Sequence, residues 1–100
     1  MTNIKELSRL LKEVSILYVE DEDEIRDEVE QVLSLLSNRV ITAPDGEEAF
    51  KIFCKEKPQL IITDIEMPRT NGIEFAKKVR EKDLQVPIIM FTAYTNKEYL

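Results

Sequence analysis

Ile16-Leu17-Tyr18-Val19-Glu20-Asp21-Glu22-Asp23-Glu24 is the stretch on which the reading of this chain turns. Four apolar residues in a row suit a short strand buried on both faces. Five acids follow without a break. The pattern recurs downstream. Leu60-Ile61-Ile62-Thr63 is a second apolar run, closing on Asp64, and Pro87-Ile88-Ile89-Met90-Phe91 is a third, closing on Thr92. Proline is tolerated at the first residue of a strand. Val40-Ile41-Thr42 completes a set of four predicted strands.

Helical patterns lie between them. Ile25, Val29, Val32, Leu33 and Leu36 mark one face of a helix over about residues 24–37. Asp45 with Glu48 forms a capping box after the Pro44-Asp45-Gly46 turn, opening a helix over 46–56 that offers Ala49, Phe50, Phe53 and Cys54 for burial. Pro58 stops it. Asn71 with Glu74 caps a helix over about 72–82, with Phe75, Ala76 and Val79 facing inward. Ahead of the first strand, Ile4, Leu7, Leu11 and Val14 recur at helical spacing, and Asn3 with Glu6 fits a capping box. These residues predict an amphipathic helix over 3–13, packed on the domain's own surface, with a partner-binding face made by Ile4, Leu7 and Leu11 as the sharper alternative. Asn96 is placed to open one more helix. Strands alternating with helices predict a parallel sheet covered on both faces, with right-handed crossovers.

Composition narrows the function. One hundred residues make one domain, and 43% hydrophobic residues can build its core. No apolar run approaches the ~20 residues of a membrane-spanning helix, and the first residues lack the apolar stretch of a secretion signal. Cytoplasmic location is the default expectation. Cys54 is the single cysteine, and its setting among Phe50, Ile52 and Phe53 predicts a buried structural thiol. The absence of histidine excludes histidine-based catalysis and histidine-ligated zinc. A net charge of -6 argues against nucleic-acid binding.

In an open α/β sheet, ligands bind outside the carboxyl ends of the strands. There the sequence places Glu20 and Asp21, then Asp64 with Glu66 two residues on, then Thr92. If the first and third strands are neighbours, several carboxylates crowd one rim. Two like charges ~4 Å apart repel by about 4 kcal/mol at an effective dielectric of 20. Arg26, a turn into the following helix, and Arg69, in a loop, are not placed to relieve this. A divalent cation is the simplest remedy, and an all-oxygen ligand set favours Mg²⁺ or Mn²⁺. A carboxylate beside such a metal can act as a nucleophile toward phosphorus, and the Thr92 hydroxyl can bond a phosphoryl oxygen. Glu22, Asp23 and Glu24 read instead as a solvated helix start, where acids suit the dipole.

Taken in order, these segments resemble the receiver domains of two-component response regulators. Tyr18-Val19-Glu20-Asp21-Glu22 is similar to that family's acidic pair after the first strand, and Pro44-Asp45-Gly46-Glu47-Glu48-Ala49 to its turn into the next helix. Asp64-Ile65-Glu66-Met67-Pro68 with Asn71-Gly72 resembles its phosphoacceptor segment, and Pro87-Ile88-Ile89-Met90-Phe91-Thr92-Ala93 its fourth strand with a switch threonine. The resemblance covers about residues 14–100, leaving 1–13 as a separate N-terminal helix. It implies a flavodoxin-like doubly wound sheet of order 2-1-3-4, with a fifth strand beyond. It further implies Asp64 as phosphoacceptor, and Mg²⁺ held by Glu20, Asp21, Asp64 and the backbone carbonyl of Glu66. Thr92 would sense the phosphoryl group. The donor would be a phosphohistidine on a histidine kinase or phosphotransfer protein, and the domain would catalyse only its own phosphorylation and dephosphorylation. Glu66 and Tyr94 fall where the family varies, at positions that would tune access of water to the acyl phosphate.

The family continues with a fifth strand, a lysine at its end and a fifth helix, about 20 residues for which this sequence, ending at Leu100, has no counterpart. Lys97 stands in the wrong element to be that lysine. The sequence thus reads as a C-terminally incomplete receiver, a piece of a longer protein or a fold completed by another chain. An apolar fourth strand left at the edge would favour a homodimer or strand exchange. Three other readings compete: a pseudo-receiver that binds without being phosphorylated, a Toprim-like nucleotidyl-transfer enzyme, and a haloacid-dehalogenase-like phosphatase. The last would want an aspartate where this chain has Glu66.

Overall fold

A computed structural model describes residues 3–67 and 70–92 of the chain. In order, the elements are α1 (Ile4–Leu11), β1 (Ile16–Val19), α2 (Asp23–Leu33), β2 (Val40–Ala43), α3 (Gly46–Glu56), β3 (Leu60–Asp64), α4 (Gly72–Lys82) and β4 (Ile88–Phe91). The four strands form one parallel sheet in the order β2-β1-β3-β4. This is the flavodoxin-like arrangement expected. The helix expected from Asn96 and the side chain of Tyr94 lie outside the described residues.

Three helices start where the capping residues predict. The side-chain oxygens of Asn3, Asp45 and Asn71 accept the backbone N–H of Glu6, Glu48 and Glu74 at 3.0, 2.8 and 2.9 Å. Helix α2 starts differently: Glu22 makes no side-chain cap bond, and Asp23 and Glu24 occupy the first turn. Helix α3 stops because Lys57 turns left-handed at φ 49° and Pro58 follows.

β1 is buried along its whole length, paired with β2 on one side and β3 on the other. Its alternate residues Leu17 and Val19 join Ile61, Phe53, Phe75 and Val79 in the core beneath α3 and α4. Ile16 and Tyr18 point to the opposite face, where right-handed crossover places α2 against β1 and β2. At the amino edge of the sheet, Gln59 caps Ser15: its Oε1 accepts from the Ser15 N–H at 3.0 Å, and its own N–H donates to Ser15 Oγ at 3.0 Å. The chain entering β1 is thereby tied to the chain entering β3.

Three expectations about burial fail. Cys54 is exposed. The buried stripe of α3 is Gly46, Ala49 and Phe53, and Cys54 lies one position round the helix from it. Val32 is 55% exposed. The expected stripe on α2 was wider than the surface that covers it: α2 touches β1 and β2, and no residue of α2 is fully buried. Helix α1 forms, but it has no buried residue either, and Ile4 is 63% exposed. It is tethered rather than packed. Ser8 Oγ donates to the Leu35 carbonyl at 3.3 Å, and the Asn38 N–H donates to the Lys12 carbonyl at 3.0 Å.

Candidate metal centre

Parallel register brings the strand ends level. Val19 pairs with both Ala43 and Thr63, and Asp64 pairs with Phe91. The ladder runs one residue beyond each strand: the Glu20 N–H donates to the Ala43 carbonyl at 3.1 Å, and the Ile65 N–H to the Phe91 carbonyl at 2.9 Å. Glu20 and Asp21 therefore leave the central strand beside Asp64, and Thr92 leaves β4 one residue beyond Asp64's partner. One carboxylate oxygen from each of Glu20, Asp21 and Asp64 lies within 4.8 Å of the other two. The three acids that the sequence placed at strand ends do converge.

Glycine fixes the far wall. A Cβ at Gly72 would overlap the Asp64 carbonyl oxygen, and the Gly72 N–H donates to the Ile65 carbonyl at 3.0 Å. The first residue of α4 thus lies directly on the backbone that carries Asp64. The Glu66 N–H donates to Asp64 Oδ1 at 3.2 Å, while the Glu66 side chain is exposed. Thr92 is exposed at the end of β4.

The electrostatics are unfavourable to so much negative charge. Glu20 is 1% exposed. Burial pushes its carboxyl up to about 7; the Glu22 N–H, donating to Oε2 at 3.1 Å, opposes this, and contact with Asp21 and the charge of Asp64 add to it. Asp64 is also raised above the ordinary carboxylate range, first by burial and then by Asp21, against the pull of the Glu66 N–H. Tyr18, beneath them, is pushed up to about 12 by burial and then by the charges of Glu20 and Asp64. Arg26 comes closer than the sequence suggested. Its guanidinium donates to the Glu20 backbone carbonyl at 2.9 Å and pairs with Asp23 at 2.6 Å, so it braces the turn and bonds none of the three clustered carboxylates. Glu20 Oε1 is buried without a hydrogen-bond partner among the described residues. An unpaired buried oxygen, three crowded carboxylates and an all-oxygen donor set fit a hard divalent cation of the Mg²⁺ kind.

The family model of the response regulator receiver domain matches residues 16–100. The chain belongs to this family. The Toprim-like and dehalogenase-like readings fall with that match. Among curated relatives, the alkaline phosphatase synthesis transcriptional regulatory protein PhoP of Bacillus subtilis is 45% identical over 78 residues, which are 78% of this chain and 32% of PhoP. The receiver spans about a third of the length of the curated relatives it matches. Among solved structures, response regulator TrrA from Thermotoga maritima in complex with Mg²⁺-BeF is 39% identical, with a TM-score of 0.77 over 83% of this chain and 72% of that one. The structure of histidine kinase ThkA in complex with TrrA matches at 38% identity and a TM-score of 0.75, over 85% of this chain and 73% of the other.

Two neighbours of the site carry no role of their own in the sequence analysis. Gly72 appears there as the start of a capped helix and within the phosphoacceptor segment, and a glycine directly after a helix-capping asparagine is the available signal for its close approach to Asp64. Tyr18 appears there as a strand residue. Its place two residues before Glu20, hence on the same face, was the signal there.

Proposed function

We propose that this receiver takes a phosphoryl group onto Asp64 from a phosphohistidine on a partner kinase or phosphotransfer protein, and that the modification switches its contacts with a downstream protein. The observation that carries the reading is the convergence of Glu20, Asp21 and Asp64 within 4.8 Å at the carboxyl ends of β1 and β3. These three side chains, with the Glu66 backbone carbonyl, would hold Mg²⁺ or Mn²⁺, which supplies neutralisation of charge on the transferring group. TrrA, whose solved complex contains Mg²⁺-BeF, supports a divalent metal in this fold. The complex of TrrA with ThkA supports a histidine kinase as partner.

The chain's own groups divide the work. An Asp64 carboxylate oxygen forms the bond to phosphorus, and the phosphorus–nitrogen bond of the donor breaks, with the imidazole taking a proton as it leaves. The Glu66 N–H holds Oδ1 of Asp64, which orients the other oxygen for attack. Thr92 bonds a phosphoryl oxygen from the β4 side. The domain acts on itself alone and turns over no separate substrate. Residues 14–100 form the receiver and 1–13 an appended helix, in a cytoplasmic protein.

The test is intact mass after incubation with Mg²⁺ and a small-molecule phosphodonor. A single phosphoryl adduct is expected on the parent, absent from Asp64→Asn and blocked by EDTA. An adduct that persists in Asp64→Asn would overturn the assignment.

A further inference from the structure

Two buried side-chain atoms lack a hydrogen-bond partner among the described residues: Tyr18 Oη and Glu20 Oε1. One carries a proton to donate and the other is an acceptor. They belong to residues two apart on one strand, and the ladder bond from the Glu20 N–H to Ala43 carries strand geometry through Glu20. The two side chains therefore leave the same face of the sheet. Tyr18 is 0% exposed, and its ring is set by stacking on Phe91, with centroids 6.2 Å apart and planes 12° apart. Buried polar groups are rarely left unmatched, and one water can join a donor and an acceptor that do not touch. Glu20 is the nearest charge in effect on the phenol, ahead of Asp64, and Arg26, which also acts on it, has only donors and cannot take its proton.

We propose that the Tyr18 hydroxyl is a positioning group for the metal centre: it donates through one buried water to the second oxygen of Glu20, and so fixes how Glu20 meets a divalent cation. This rests on the metal reading given above. Glu20 is then held at both oxygens, Oε2 by the Glu22 N–H and Oε1 by the phenol through that water. A carboxylate held in this way needs no reorganisation when a cation arrives.

The test pairs two variants of the full chain with two readouts. Tyr18→Phe removes the hydroxyl and keeps the ring. Phe91→Leu removes the stacking partner and keeps the hydroxyl. The first readout is the Glu20 carboxyl ¹³C resonance without metal, and the second is Mn²⁺ affinity from the spin resonance of free Mn²⁺. Tyr18→Phe is expected to shift the Glu20 resonance and weaken Mn²⁺ binding by about tenfold, the scale of one hydrogen bond to a charged group. Phe91→Leu is expected to lower the melting temperature and to move both readouts less than Tyr18→Phe does, because the hydroxyl stays. An unmoved Glu20 resonance in Tyr18→Phe overturns the proposal. A shift of the Glu20 resonance in Tyr18→Phe, beside a parent that binds no Mn²⁺, overturns the metal reading and leaves the Tyr18–Glu20 link standing.

Discussion

β1 and β4 are written in nearly the same alphabet, Ile-Leu-Tyr-Val and Ile-Ile-Met-Phe, yet they live in different surroundings. β1 is paired on both sides and buried throughout; β4 is paired with β3 alone among the described strands, and its middle residues Ile89 and Met90 are exposed. Composition makes both of them strands. Position in the sheet decides which is core. The same contrast runs through the site. Glu20 leaves the central strand into a buried, crowded corner, while Thr92 leaves the edge strand into an exposed one. The acids that would hold a metal are fixed by the core, and the hydroxyl that would read the phosphoryl group is exposed at the end of β4.

The contrast predicts a graded series of effects. Leu17→Ala in β1 should destabilise the fold by about 3 kcal/mol, the usual scale for emptying a fully buried leucine site. Chemical denaturation measures it, and a loss under 1 kcal/mol would mean the centre of the sheet is not where its stability resides. Gly72→Ala should cost about 2 kcal/mol, since a methyl there must displace the Asp64 backbone. It should also slow adduct formation, a pairing that a purely remote strain would not give.

A pH series probes the corner itself. In the folded chain Glu20 is held at about 7 against an ordinary value of 4.5, so the folded state binds that proton more tightly than the unfolded state. Its contribution to stability without metal is therefore fully present below the lower value and is lost as pH rises toward the upper one. Melting temperatures from pH 4.5 to 7.5 should show Glu20→Gln gaining on the parent as pH rises, and saturating Mg²⁺ should erase the gain. Parallel curves would show that burial does not burden Glu20. The smallest effect belongs to the edge: Ile89→Ala should cost less than about 1 kcal/mol, because its side chain is already half in water. A cost matching that of Leu17→Ala would dissolve the distinction between the two strands.

Much of this was legible in the chain, for identifiable reasons. Three runs of four or five residues, each closing on an acid or a threonine, gave three of the four strands and put Glu20, Asp21, Asp64 and Thr92 on one rim. Three asparagine or aspartate caps gave three helix starts. What resisted reading depends on distance in space rather than in sequence. Val32 fits the apolar face of α2 by periodicity, but how much of that face is covered depends on what lies beside it. Cys54 sits among aromatic residues in sequence and beyond the buried stripe in space. Arg26 looked a turn too far, until the bend after Glu20 brought it back to that residue's carbonyl.

Gly72 has a consequence for how such a site is inherited. The position has no side chain, yet it constrains the strand end that carries Asp64, because the Asp64 carbonyl occupies the space any larger residue would fill. A saturation library at position 72, selected for retention of the adduct, should return glycine nearly alone. The same library at the exposed neighbour Ile73 should return most of the alphabet.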